Sequence, residues 1–345
     1  GVWELGGTYA AVSNSNGKKP TVINLNNNKL NIISSKFSGI AATESGSHLV
    51  INNAGPIDIT VAGKNEKDCH YAAGIYGNTG AVIDIHNGGD HLEDKVLKIR
   101  AATDPTWTGG SAGIKARNGI AKGCTTINVD GLVDIEVDGD VSKDNPGADT
   151  FGGKTGLSAT ASEINIGGGS VKVRNGYAAF WAYGEFVSQN TGVIRANVKR
   201  DPKGDVIDAG NNRMVVEGDF STRGGMGSKG QIYLGLSTSE SYWKGNYADS
   251  QGYGVSPGQH GFVNLYMKKG SYWKGFANGA MNVKMDGKDT RWIGFNVNSG
   301  MQLSLENGAT WYNAITKDQK GKSPKKGEPD ITLSAQVKEL SAKNG

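Results

Sequence analysis

The chain has 345 residues, of which 53 are glycine and only 8 are proline, and 37% are hydrophobic. The glycines follow no fixed period, which excludes collagen, and the short clusters of Val, Ile and Leu argue against general disorder. The formal net charge of +4 comes mostly from lysines after Ile315, so nothing indicates a nucleic-acid partner. No run reaches the ~18 apolar residues that span a bilayer. We expect a soluble, processed or excised piece of a longer protein.

Apolar and polar residues alternate in short runs along almost the whole chain, and glycine, asparagine and aspartate interrupt these runs. Clear examples are residues 30–32, 57–61, 133–137, 171–173, 263–267, 281–285 and 301–305. Each run predicts a short strand with one buried face. Only the tail around residues 331–340 has an apolar spacing that also allows a helix. The sequence therefore predicts an all-β protein.

The N-terminal half repeats one strand-turn-strand unit. Residues 55–61 align without gaps on residues 131–137, and residues 169–173 form a shorter third copy. Gly55 and Gly131 are 76 residues apart, whereas Gly131 and Gly169 are 38 apart, so one unit is missing between the first two copies. Two runs with a longer turn between them, residues 82–85 and 96–99, are predicted to fill that gap.

The C-terminal half repeats a tryptophan motif. The sequence Ser-Tyr-Trp-Lys-Gly occurs at residues 241–245 and again at 271–275, with looser copies at 290–294 and 309–313. Trp273, Trp292 and Trp311 are spaced by 19 residues, and Trp243 precedes Trp273 by 30. A 19-residue period suits one coil of a parallel β-helix, and 30 residues suit the same coil with an inserted loop. We expect these tryptophans to stack as a ladder, the alternative being a sugar-stacking site.

Stacked coils would bury what single short strands cannot, so the predicted fold is a parallel β-helix, a solenoid with loop insertions at one corner. We assign residues 1–316 to the β-helix, with the Trp-repeat coils at 230–316. The Lys-rich segment 317–345 is assigned as a linker or cap.

Three insertions are predicted at equivalent places in successive coils, at residues 62–73, 100–112 and 138–155. Insertions at one corner would emerge side by side as a ridge, which is a usual location for binding residues. The binding candidates on this ridge are Trp107, Lys64, Lys67, Lys143 and Asp144. The alternative is that the insertions are surface loops that the fold tolerates and that bind nothing.

Catalytic chemistry has one candidate cluster. Asp134, Glu136 and Asp138 share an outward strand face with Lys172 and Arg174 of a later unit, as a polysaccharide lyase would need. Outward strand positions are also charged for solubility alone, and the equivalent Asp58 and Asp134 follow from the repeat as readily as from a hydrolase pair. The five histidines fall in no metal-binding spacing; His86 and His91 share a turn with Asp84 and Asp90. We predict no catalytic residue, no metal ligand and no cofactor.

The two cysteines, Cys69 and Cys124, permit a single disulfide. Neighbouring coils offer about the Cα separation that a disulfide requires. In an exported chain such a bridge would pin the first insertion to the next coil, and the alternative is two free thiols.

The glycine-rich units through Val198 and the Gly-Ser-Tyr-Trp-Lys-Gly motif at residues 270–275 resemble the passenger domains of Gram-negative type V autotransporters, particularly the adhesins. The resemblance covers nearly all of the chain before the Lys-rich tail. It implies a right-handed β-helix displayed at the cell surface, anchored in the outer membrane through a β-barrel that is absent here.

The family's functions imply attachment to host or neighbouring cells, self-association or biofilm formation, without catalysis. The implied partner is a host surface or matrix protein or a glycan. No ligand residue of the family can be transferred to this sequence. The alternative function is a β-helical polysaccharide lyase or hydrolase that acts on acidic glycans.

Overall fold

The computed structural model describes most of the chain. The described residues are 1–7, 10–14, 17–34, 38–63, 73–103, 112–117, 124–138, 154–184, 191–224, 228–250, 261–297, 300–314, 320–321, 331–332, 337 and 339–344. Almost all of the regular structure in them is β-strand, with one short 3₁₀ helix at Leu92–Lys95.

The strands are short and follow one another at close intervals. In chain order they are β1 Val2–Gly7, β2 Ala10–Asn14, β3 Thr21–Asn24, β4 Lys29–Ser34, β5 Ser38–Ala42, β6 His48–Asn52, β7 Ile57–Gly63, β8 Ala73–Gly77, β9 Val82–Ile85, β10 Leu97–Thr103, β11 Ala112–Arg117, β12 Thr125–Asp138, β13 Thr155–Thr160, β14 Ser162–Arg174, β15 Ala178–Tyr183, β16 Gly192–Ala196, β17 Val198–Arg200, β18 Val206–Ala209, β19 Met214–Glu217, β20 Phe220–Arg223, β21 Gly230–Leu236, β22 Tyr242–Lys244, β23 Tyr247–Ser250, β24 Phe262–Lys268, β25 Tyr272–Lys274, β26 Ala277–Asn278, β27 Ala280–Asp286, β28 Arg291–Gly294, β29 Met301–Glu306, β30 Thr310–Asn313, β31 Lys320–Gly321, β32 Ile331–Thr332 and β33 Glu339–Lys343.

These strands pair in parallel to form three ladders, which we call faces A, B and C. Face A contains β1, β4, β7, β10, the second halves of β12 and β14, then β19, β22, β25, β28 and β30. Face B contains β3, β6, β9, the first halves of β12 and β14, then β16, β21, β24, β27, β29 and β33. Face C contains β2, β5, β8, β11, β13, β15, β20, β23 and β26. The chain visits A, C and B in turn, so the fold is a parallel β-helix, as predicted.

The predicted alignment of residues 55–61 on residues 131–137 is confirmed, because Ile59 pairs with Ile99 and Ile99 pairs with Ile135 on face A. The third copy is shifted by two residues from the prediction: Gly169 lies opposite Val133 instead of Gly131, and Val171 lies opposite Ile135. The unit inferred to lie between the first two copies is formed by β9 and β10. One-residue slips would turn every apolar side chain outward, so burial of these columns fixes the register between coils.

The inward residues of all three faces form one continuous core that runs from Val12 to Ala309. Tight corners between the faces use residues with positive φ, among them Asn53, Asn175 and Asn197. The buried Asn197 also donates from Nδ2 to the carbonyls of Asn212 (2.8 Å) and Gly235 (3.0 Å). Asparagine suits these corners, because it tolerates left-handed backbone and hydrogen-bonds nearby peptide groups.

Face C is buried on its outer side as well. Its outward row contains Tyr76, Lys115, Ser158 and Trp181, in register on successive strands, and each of these is less than 5% exposed. Burial, and to a smaller extent the nearby positive charge of Arg117, together lower the pKa of Lys115 to about 7. The alternation in the sequence predicted that such positions would face solvent, and for this face the prediction is wrong.

Two further elements differ from the expectations. Strands β17 and β18 form an antiparallel hairpin between coils. Where the tail allowed a helix, residues 331–332 and 339–340 are in strands: β32 pairs with β31, and β33 pairs in parallel with β29 as a further rung of face B.

Candidate functional site

The predicted insertions begin and end at stacked positions. Strands β7, β10 and β12, which precede them, pair in register on face A. Strands β8, β11 and β13, which follow them, pair in register on face C. The chain thus leaves and re-enters successive coils at the same corner.

The inserted segments themselves lie outside the described residues. So do all five binding candidates, namely Trp107, Lys64, Lys67, Lys143 and Asp144. Their role stays a prediction. The second insertion begins later than predicted, because β10 continues to Thr103. Arg100 is therefore a strand residue and not the first residue of that insertion.

A groove lies on the outer side of face A, at the strand ends that precede the insertions. It has a volume of about 180 Å³. Its polar lining consists of Thr60, Arg100, Glu136, Asp138, Lys172 and Arg174. Thus Glu136, Asp138, Lys172 and Arg174 of the candidate cluster line one groove, as the sequence indicated.

Arg100 is the residue of this groove that the sequence analysis missed. Its Nη2 lies 2.9 Å from Oδ2 of Asp134, and its Nε lies 3.2 Å from Oε2 of Glu136. One guanidinium therefore binds two of the three carboxylates that a lyase would use for a cation. Its place at the predicted start of an insertion concealed this role.

Outward charges alternate in sign along the column that contains Arg100. Arg100 pairs in register with Glu136, and the column continues through Lys172, Glu217 and Lys244. Opposite charges directly across a ladder stabilise the pairing of neighbouring strands. This alternation gives the acids of the column a role in coil stacking.

Two cations of the groove remain available to a ligand. Among the residues that the structure describes, neither Lys172 nor Arg174 has a hydrogen-bond or ion-pair partner. Both side chains line the groove beside the bound Arg100. The groove can therefore accept an anionic group such as a carboxylate or sulfate.

Asp58 and Asp134 occupy equivalent positions with Lys98 between them in the register. Each has its own cation: Nζ of Lys29 lies 2.9 Å from Oδ2 of Asp58, and Arg100 binds Asp134. Both acids are therefore held in ion pairs with cations on neighbouring strands.

The histidine and aspartate side chains of the turn at residues 84–91 do not form one site. Asp84 binds Nε2 of His48 at 2.7 Å, and His86 binds Asp130 through Nδ1 at 3.0 Å. Within the described part of the chain, no group of three or more His, Cys, Asp or Glu side chains could hold a metal ion.

The tryptophan motif forms a buried ladder. Trp243, Trp273 and Trp292 are fully buried and stack in register, with Trp311 as the last ring. Each indole N–H donates at 3.0 Å to a glycine carbonyl of the preceding coil. The three buried rings offer no face to a sugar, and the ladder interpretation is confirmed.

The disulfide that the sequence permits stays a hypothesis. Cys124 lies at an exposed position next to β12, whereas Cys69 lies outside the described residues.

No protein-family model, no curated protein and no solved structure matches this chain. Among the described residues, no helix has the length and apolar character required to cross a membrane.

Proposed function

We propose that the chain is the passenger part of a bacterial surface adhesin of the autotransporter type. It would attach cells to a host surface, to a matrix protein or glycan, or to neighbouring cells. In this proposal it acts by binding and catalyses no reaction.

One observation carries the proposal: the groove on face A adjoins the corner at which successive insertions leave the coils, and two of its cations are unpaired among the described residues. A rigid stack of coils with loops gathered on one side holds several weak contacts in a fixed line. Such an arrangement increases avidity when the ligand is itself repetitive. Salt-sensitive binding of acidic partners is the expected behaviour.

The test is an array of glycans and matrix proteins probed with the full chain and three variants. One variant lacks residues 103–111, one carries Lys172→Ala with Arg174→Ala, and the control carries Lys199→Ala with Lys203→Ala on the distant hairpin. We expect the first two to lose binding to acidic spots and the control to retain it. Binding that all three variants retain would remove both the ridge and the groove from the proposal.

The polysaccharide lyase remains the second candidate, because the structure brings Glu136, Asp138, Lys172 and Arg174 to one groove. Lys172 or Arg174 would be the base. Release of an unsaturated product from an acidic glycan, lost in the Lys172→Ala and Arg174→Ala variants, would favour the enzyme over the adhesin.

A further inference from the structure

The tryptophan motif also carries side chains that the buried ladder does not use. On β22 and on β25, a buried tryptophan lies between a tyrosine and a lysine. Side chains alternate between the two sides of a strand, so these tyrosines and lysines project from the outer side of face A. The outward residues are the half-buried Tyr242 and Tyr272 and the exposed Lys244 and Lys274. The repeat therefore builds a surface as well as a core.

The charges of this surface are not balanced. Strands β22, β25, β28 and β30 contain Lys244, Lys274 and Arg291 but no aspartate or glutamate. Lys244 lies directly opposite Lys274, so the alternation of sign in the column of Arg100 ends here. Like charges directly opposite one another destabilise a ladder. Among the residues that the structure describes, neither lysine has an ion-pair partner, so an anion bound between them would remove a repulsion.

Stacked aromatic rings hold two of these cations in place. The rings of Tyr242 and Tyr272 stack with their centroids 5.1 Å apart. Nζ of Lys244 lies 4.8 Å from the centroid of the Tyr242 ring, and Cζ of Arg291 lies 4.8 Å from that of the Tyr272 ring. A cation that is already held over a ring loses less conformational freedom when a ligand binds. The surface is therefore partly ordered for an anionic ligand.

The same stacking restricts the class of ligand. Tyr272 lies between Tyr242 and Arg291 in the register, so both faces of its ring are covered. One face of the Tyr242 ring is covered by Tyr272, and Lys244 also lies over this ring. Proteins that bind single-stranded nucleic acids stack the bases on open aromatic faces, which these two rings do not offer. The cations suit the sulfate and carboxylate groups of an acidic glycan.

This surface continues from the groove on face A. Lys172, which lines the groove, is followed in the same column by Glu217, Lys244 and Lys274. At ~4.8 Å per rung, Lys244 lies about 10 Å and Lys274 about 14 Å from Lys172 along the axis. The intervening carboxylate of Glu217 accepts a hydrogen bond of 2.7 Å from the hydroxyl of Tyr242. A chain that extends along the axis can therefore reach both sets of cations.

We propose that Lys244, Lys274 and Arg291 form a second anion site on face A, which binds the sulfate or carboxylate groups of an acidic glycan. The same glycan chain extends along the axis into the groove, where it meets Lys172 and Arg174. The second site has residues of its own, whereas its connection to the groove rests on the proposed function. Simultaneous contact with both sites increases the affinity for a long chain over a short one.

Equilibrium binding of a heparin disaccharide and a heparin octasaccharide to the full chain tests the proposal. The disaccharide occupies one site at a time, whereas the octasaccharide spans both, and we expect it to bind at least about tenfold more tightly. Lys244→Ala with Lys274→Ala should weaken octasaccharide binding at least about tenfold. The control, Lys199→Ala with Lys203→Ala on the hairpin, loses the same charge and should stay within about twofold of the original chain. Circular dichroism verifies that each variant is folded.

The groove variant, Lys172→Ala with Arg174→Ala, separates the two proposals. If it binds both oligosaccharides normally while the Lys244 and Lys274 variant does not, the second site is supported and the groove loses its part in the proposed function. If the Lys244 and Lys274 variant binds both as the original chain does, the second site is overturned, whatever the groove variant shows. Equal affinity for a thymidine oligonucleotide of the same net charge would overturn an acidic glycan as the ligand.

Discussion

Trp273 lies face to face with Trp292, with ring centroids 4.7 Å apart and ring planes that differ by 3°. Trp243 continues the stack on the other side of Trp273, with centroids 4.8 Å apart. These spacings equal the distance between neighbouring strands in a sheet, so the ladder packs its rings without distorting the backbone.

Removing one ring from inside this ladder is expected to cost about 3–5 kcal/mol of unfolding free energy, because a cavity replaces two stacked contacts. The variant is Trp273→Ala, and urea unfolding provides the measurement. Trp3→Ala, which removes an indole that is 59% exposed, is the control and should change stability by less than about 1 kcal/mol. If both variants lost the same unfolding free energy, the stacked tryptophans would contribute no more to stability than an exposed indole.

Lys115→Met is expected to stabilise the protein at about pH 6 by more than about 1 kcal/mol, because it replaces a buried charge with an apolar side chain of similar length. The pKa of Lys115 is about 7 in the folded chain and ordinary in the unfolded chain. Between these values the unfolded state binds more protons, so the original chain gains stability as pH rises. The advantage of the variant should therefore shrink towards about pH 10.

Urea unfolding at both pH values measures this difference. Lys98→Met is the matched control, because Lys98 is exposed on face A and carries no such penalty. Parallel pH profiles for the original chain and Lys115→Met would show that Lys115 is charged in the folded protein.

Arg100→Ala is expected to lower the unfolding free energy by about 1 kcal/mol, because it leaves Asp134 and Glu136 without their shared cation on a partly exposed surface. The loss should be smaller in concentrated salt, which screens the ion pairs. Unfolding at low and high salt gives the comparison. Arg174→Ala removes an equally charged neighbour that has no ion pair in the described structure, and it should have almost no effect.

Gly169→Ala is expected to destabilise the chain by about 2 kcal/mol or more. Gly169 has a φ of 110°, and an added Cβ would lie 1.9 Å from the carbonyl oxygen of Val133 in the preceding coil. Gly89, with a φ of 82° and no atom near its Cβ position, is the control and should lose only about 1 kcal/mol when changed to Ala. Thermal unfolding of both variants ranks the two effects.

The sequence predicted the coil stacking well where repeats carry the information. The 19-residue spacing of Trp273, Trp292 and Trp311 corresponds to one rung, and Gly55 and Gly131 mark equivalent corners. Gly169 was aligned two residues out of register, because it lies opposite Val133. In such a fold, equivalent positions of successive coils occupy the same environment and select similar residues. The repeats of one sequence can therefore be aligned with each other.

Other features depend on contacts that no local pattern encodes. Lys115 alternates with apolar residues like any solvent-facing lysine, and only tertiary packing buries it. The hairpin of β17 and β18 had a local signal in its Asp-Pro-Lys-Gly turn at residues 201–204, typical of a tight turn, but it belongs to no repeat. Arg100 was missed because strand and insertion share the same polar composition at that junction.

The pairing of each rung with only its nearest neighbours has a mechanical consequence. A pull applied along the axis to one end loads a single rung at a time, so the chain should peel in successive steps. In the tryptophan region each step would release 19 residues, or on the order of 6 nm of extended chain. A molecule built in this way dissipates force gradually, because the coils that have not yet unfolded stay paired with one another.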